Sequence, residues 1–121
     1  MKLYNLALVT FLIVFGAGVA HAQMGNAFPY WFKLQDSDVV EITKAEDRIL
    51  ARQPFKAGLS ESWKGAETGN AGSVTIIKVY EKKGAECIDT AYDFKFARAA
   101  DPIRYVLPWC KFPDGSWKLV F

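Results

Sequence analysis

Apolar positions follow three spacings in turn along this chain: an unbroken run, a three-to-four repeat, and an alternation of every second residue. The run extends from Leu6 to Ala20, with Lys2 before it and Ala20-His21-Ala22 at its end. A basic start, a short apolar stretch and small residues at the cut are the parts of a secretory signal. Residues 1–22 are therefore expected to direct export, with cleavage between Ala22 and Gln23. The run is shorter than the roughly 20 apolar residues that span a bilayer, and an uncleaved N-terminal anchor is the alternative. No cysteine precedes Cys87, so no lipid anchor is expected at a cysteine beside the cut.

Residues 23–36 (QMGNAFPYWFKLQD) show no period and read as an irregular arm. Its aromatics Phe28, Tyr30, Trp31 and Phe32 either pack back onto the domain or form a patch for sugar rings or a partner. The domain proper is expected over residues 37–121.

The three-to-four repeat begins there. Ile42, Ala45 and Ile49 make one apolar stripe, Lys44, Asp47, Arg48 and Arg52 fall largely to the wet side, and Pro54 ends the pattern. Thr43-Lys44-Ala45-Glu46 has the form of a capping box, so the helix starts either near Asp38 or at Thr43.

After Gly58 the spacing becomes that of strands. Leu59–Lys64 carries Trp63, a turn-rich stretch runs from Lys64 to Gly72, and Ser73–Glu81 is rich in β-branched residues. Lys82-Lys83-Gly84 turns the chain into Cys87–Phe96, where Thr90, Tyr92, Phe94 and Phe96 share one face against Asp89, Asp93 and Lys95. Ile103–Phe112, interrupted or bent at Pro108, and Ser116–Phe121 flank a hairpin turn at Pro113-Asp114-Gly115. The predicted class is α+β: one N-terminal helix on an antiparallel meander of about four to five strands. Trp63 and Trp117, each in an alternating pattern beside a turn, are expected to anchor the core.

Composition narrows the function more than it names it. A net charge of +2 with no block of like charge leaves no footprint for nucleic acid or an acidic membrane surface. The single histidine, His21, lies in the signal segment, so the mature chain lacks Ser-His-Asp and Cys-His nucleophile sets and the usual zinc ligands. Two of its acids could in principle form a glycosidase-like pair, but Asp89 and Asp93 read as the solvated side of a half-buried strand. The chain is thus expected to be no enzyme, and no cofactor or metal is expected. Thr68-Gly69-Asn70-Ala71-Gly72 precedes a strand rather than a helix, which argues for a tight loop and against a phosphate site.

Cys87 and Cys110 are the only cysteines and form no CxxC pair. In an oxidising compartment they are expected to join as a disulfide across neighbouring strands, intermolecular pairing being the other possibility.

Trp63, Thr68-Gly69-Asn70, Gly72-Ser73-Val74-Thr75, Tyr80, Gly84, Cys87, Cys110-Lys111, Asp114-Gly115 and Trp117, following a helix with Asp47, stand in an order that resembles the C-terminal domain of the rickettsial 17 kDa surface antigen family of proteobacterial envelope proteins. The resemblance runs from about Thr43 to Phe121. This sequence departs from the family in lacking a lipobox cysteine and a glycine zipper, and in having Ile88 where the family commonly has Arg. The resemblance implies an exported, non-catalytic envelope domain in the periplasm, associated with the outer membrane, or secreted. It would act by binding an envelope protein or glycan, or in a structural role. The alternative is an inhibitor or binding module that presents a loop, with Gly65, Thr68, Gly69, Asn70 and Gly72 as the candidate partner loop.

Overall fold

A computed structural model describes residues 34–99 and 101–121; the signal segment and the arm up to residue 33 lie outside the described residues. One helix, α1 (Asp36–Leu50), precedes five strands: β1 (Ser60–Lys64), β2 (Ala71–Lys82), β3 (Ala85–Lys95), β4 (Ile103–Lys111) and β5 (Trp117–Leu119). The strands form one antiparallel sheet in the order β1-β2-β3-β4-β5, a plain meander, and α1 packs on β1 and β2.

The helix starts earlier than Thr43 because its first turn holds Asp36 and Asp38 beside the positive end of the dipole. Gln35 flanks it in an extended conformation and its N–H donates to Asp38 Oδ2 at 3.1 Å, the reciprocal half of a capping box. The box expected at Thr43 to Glu46 is therefore not a helix start. Thr43 is interior, and the Glu46 carboxylate is engaged elsewhere. The stripe itself is as expected: Ile42, Ala45 and Ile49 are buried.

Register and alternation sort the sheet into two faces. Toward the helix point Trp63, Gly72, Val74, Ile76, Ile88, Thr90, Tyr92, Phe94, Leu107 and Trp109. The opposite face carries Asp89, Asp93 and Lys95, as their alternation predicts, and there Arg104 forms two hydrogen bonds to Asp93 at 2.7 and 3.0 Å. Trp63 lies opposite Gly72, 5% exposed, edge-on to Phe94. A Cβ on Gly72 would come within 2.7 Å of the indole nitrogen and 2.0 Å of the Asp93 carbonyl oxygen. Glycine is what lets the indole lie against the strand. Trp117, on the outer strand β5, is only half-buried, with the Phe55 ring edge-on to it at 5.4 Å.

Turns follow their residues. Lys83 and Gly84, both at positive φ, make the two-residue link between β2 and β3, the geometry that matches strand twist. At the last hairpin Asp114 Oδ1 accepts from the Ser116 N–H at 2.9 Å, and Gly115 takes φ 88°. Two features of the strands differ from the expectation. Ile77 is extra in the β2–β3 ladder, so β2 bulges there and exposes it. Pro108 does not interrupt β4: its backbone faces β5 at Val120, beyond the end of that short strand, where its carbonyl accepts from the Val120 N–H at 3.0 Å. The missing N–H thus costs the ladder one terminal bond.

Cys87 and Cys110 pair directly in the β3–β4 register and form a disulfide, with Cα atoms 4.1 Å apart. The antiparallel meander itself brings them together. The outer edge of β1 is also engaged. Arg48 Nη2 donates to the Ser62 carbonyl at 2.8 Å and Arg52 Nη1 to the Ser60 carbonyl at 3.3 Å, while Glu61 lies within 3.7 Å of both guanidiniums.

Truncation should separate the two tryptophans. Trp63→Ala is expected to cost about 3–5 kcal/mol in urea unfolding and Trp117→Ala clearly less. Opening the 23-residue span between the cysteines by Cys→Ala at both positions should cost about 3 kcal/mol by the same measurement.

Candidate functional site

The loop between β1 and β2 was the sequence's candidate for a partner site, and its geometry is set by one carboxylate. Asp38, on the first turn of α1, is fully buried. Its Oδ1 accepts from the Thr68 hydroxyl at 2.7 Å, and its Oδ2 accepts from Asn70 Nδ2 at 2.9 Å as well as from the Gln35 N–H. A buried carboxylate is tolerated when its lone pairs are met by donors, and here three donors converge on it.

The loop is built around those bonds. Thr68 Oγ1 also accepts from the Asn70 N–H at 3.0 Å, closing a local turn. The Asn70 carbonyl accepts from Gly65 N–H at 2.8 Å, and the Gly65 carbonyl from Gly69 N–H at 3.0 Å. Asn70 Oδ1 then accepts from the Ala97 N–H at 2.9 Å, just past β3. One cluster thus ties the helix start, the β1–β2 connection and the exit of β3. Gly65 makes room for it: a Cβ there would lie 1.9 Å from Asp38 Oδ1 and 2.6 Å from Thr68 Oγ1. Gly69 needs its φ of 75° for the turn.

The five predicted loop residues are therefore brought together, but facing inward. Gly65 and Asn70 are buried, Thr68 and Gly72 are half-buried, and Gly69 alone is exposed. What the loop turns outward is one wall of a cleft of about 400 Å³, lined by Gln35, Glu67 and Thr68 on one side and by Phe96, Ala97 and Arg98 on the other. Glu67 and Arg98 are exposed charges of opposite sign at this cleft. Phe96, 6% exposed and stacked on Phe94, contributes apolar surface. The arrangement offers a small amphipathic surface, in which the Thr68 hydroxyl is committed to the Asp38 carboxylate and the Asn70 N–H.

A second cluster escaped the sequence reading. The Tyr92 hydroxyl donates to Glu46 Oε2 at 2.5 Å and accepts from Trp109 Nε1 at 3.1 Å. Burial, partly offset by the Tyr92 bond and reinforced by Asp47, pushes the Glu46 carboxyl up to about 7. Burial and the adjacent Glu46 hold the Tyr92 phenol well above its ordinary range. The signal was in the spacing, since position 46 falls inside the stripe of 42, 45 and 49.

Among the described residues no three His, Cys, Asp or Glu side chains converge as a metal site, and no helix is long and apolar enough to cross a membrane. The chain matches no family model, no curated protein and no solved structure.

Removing the carboxylate leaves three donors without their acceptor, the buried Asn70 amide among them, so Asp38→Ala should cost about 3 kcal/mol or more in urea unfolding. Gly65→Ala should be comparably damaging despite adding one methyl. Glu67→Ala, at the outward side of the same loop, should leave the midpoint within about 0.5 kcal/mol of wild type.

Proposed function

We propose that this chain is an exported, non-enzymatic envelope domain, similar to the rickettsial surface antigen domain, that acts by binding or in a structural role. The Cys87–Cys110 disulfide carries the reading. Such a bond between β-strands persists where the surroundings are oxidising, and it agrees with the signal expected over residues 1–22. The residues of the resemblance also have architectural roles throughout. Gly72 accommodates Trp63, Thr68 and Asn70 hold Asp38, the cysteines pair, and Asp114-Gly115 turns the last hairpin. A sequence signature made of such residues specifies a scaffold, and partner choice is left to its surface. The cleft beside the loop, with Glu67 and Arg98, is the surface on which an envelope protein or glycan would be held.

The inhibitor reading, in which the Gly65–Gly72 loop enters a partner's groove, draws no support from the loop's geometry. Its polar groups are committed to Asp38 and Ala97, so scrambling it would unfold the domain before it abolished binding.

Two measurements test the proposal. On fractionation of expressing cells, the mature chain should be recovered outside the cytoplasm with no free thiol after denaturation without reductant; cytoplasmic recovery with two free thiols would refute export. Envelope partners captured by the wild type should then be lost with Glu67→Ala combined with Arg98→Ala. Retention by that variant would move the binding surface elsewhere.

A further inference from the structure

Charge in this chain is even along the sequence and uneven in space. There are 15 cations and 13 acids, and with Lys2 and Lys33 outside the described residues the remainder balances. A sequence without a run of like charge predicts no acidic partner surface, but the register gathers what the sequence spreads. Paired positions share a face, so the side of the sheet turned away from α1 carries Lys64, Lys78, Lys82, Lys95, Arg104 and Lys118. All six are exposed. The acids at outward strand positions are Asp89 and Asp93, whereas Glu61, Glu81 and Glu86 fall on the helix side.

The bulge at Ile77 creates much of this surplus. Before it Ala71, Ser73 and Thr75 point outward; after it Lys78, Tyr80 and Lys82 do, opposite Asp89, Cys87 and Ala85. Without the extra residue the alternation would carry both lysines to the helix side. The two acids are engaged locally. Asp93 accepts from Arg104 at 2.7 and 3.0 Å, and Asp89 from the Tyr80 hydroxyl at 2.9 Å. Among the described residues no carboxylate comes within ion-pair distance of the five lysines, although Asp114 in the last hairpin acts on Lys118 from further off. At the other end Lys64 and Lys95 flank Ala71 in one cross-strand row.

These cations are too widely spaced for one small anion. The 12 residues of β2 run roughly 37 Å, and β1 to β5 is four strand spacings, roughly 19 Å. An extended surface of many anions matches that span. Lysine predominates, a point charge without the fork by which arginine grips a single phosphate, and the one arginine is committed to Asp93. Tyr80 is the one ring at an outward strand position, and Lys78 Nζ lies over it at 5.0 Å, so the face has no series of rings on which bases would stack. Val106, 48% exposed, stands outward opposite Ala91, and Phe112, 38% exposed, lies under Lys118 Nζ at 4.7 Å. Apolar side chains set among cations suit the boundary between lipid headgroups and acyl chains; a hydrated polysaccharide would bury less of them.

We propose that this face docks the domain on a bilayer surface bearing anionic phospholipid headgroups, with the lysines against the phosphates and Val106 and Phe112 at the interface. The inference uses no residue of the cleft beside the β1–β2 loop and stands whatever that cleft holds.

Co-sedimentation of the processed, oxidised chain with large unilamellar vesicles tests the docking. Binding is expected in low salt to vesicles of phosphatidylcholine with phosphatidylglycerol, and not to phosphatidylcholine alone. It should be lost in about 1 M salt, where charges are screened beyond about 3 Å. Lys64→Gln combined with Lys95→Gln should lower partitioning about 25-fold, at about fivefold for each cation, whereas Lys44→Gln combined with Lys111→Gln, the same change of charge on the helix side, should stay within about twofold of wild type. Far-UV circular dichroism checks that both variants keep the fold, and the two vesicle types decide with the wild type alone if either does not. Equal binding to both vesicle types would overturn the proposal, as would an equal loss from the two variants. A chain that ignores the vesicles and binds soluble dextran sulfate would overturn it too, giving the face to a polyanionic chain.

Discussion

A carboxylate taken out of water must be met by donors, and the way this chain meets that demand at Asp38 organises one end of the molecule. The three donors come from Gln35, Thr68 and Asn70, spread over the helix start and a loop some thirty residues downstream. Asn70 passes the constraint on through its side-chain amide oxygen, which accepts from the Ala97 N–H at the exit of β3. Each element is thereby fixed relative to the others by directional bonds, where apolar packing alone would tolerate sliding. The glycines of the loop follow from the same demand. Gly65 leaves room for the carboxylate, and Gly69 supplies the backbone turn that presents Thr68 and Asn70 to it.

Further along, packing takes over from polar bonding. Trp63 against Gly72 and the aromatic series Phe94, Phe96 and Tyr105 fill the helix side of the sheet, and the disulfide holds β3 and β4 together on the opposite side. A small domain has little apolar area to spare, and distributing its fixed points over both faces of the sheet compensates for that.

How much of this was legible in the sequence depends on how local each cause is. The alternation of Thr90, Tyr92 and Phe94 against Asp89 and Asp93 is a property of neighbouring residues, and the strand, its faces and the hairpin at Asp114-Gly115 were all readable. The cysteine pair was readable because a meander places consecutive strands side by side. The helix start was left between Asp38 and Thr43 because Thr43 and Glu46 mimic a cap inside the helix; the earlier start is the true one, with Asp36 alone drawn from the stretch that looked irregular. The partnership of Asp38 with Thr68 and Asn70 had no local trace. A Thr-Gly-Asn loop looks the same whether its side chains face solvent or a carboxylate thirty residues away, so its residues were identified and their orientation was not. Glu46 was misread for a related reason, since a short pattern offered it a local partner before the fold supplied a distant one.

The arginines along β1 bear on how copies of this protein behave toward one another. The outer strand of a sheet displays unpaired carbonyls on which a foreign strand can build. Here Arg48 and Arg52 occupy the carbonyls of Ser62 and Ser60, and Glu61 anchors both guanidiniums. An incoming chain would have to displace two tethered cations before its first hydrogen bond could form. At the other margin β5 is only three residues long and carries Lys118 at its centre. The sheet is thus guarded at both ends against growing by accretion, so that copies of the folded domain meet along their faces and loops and not by adding strands.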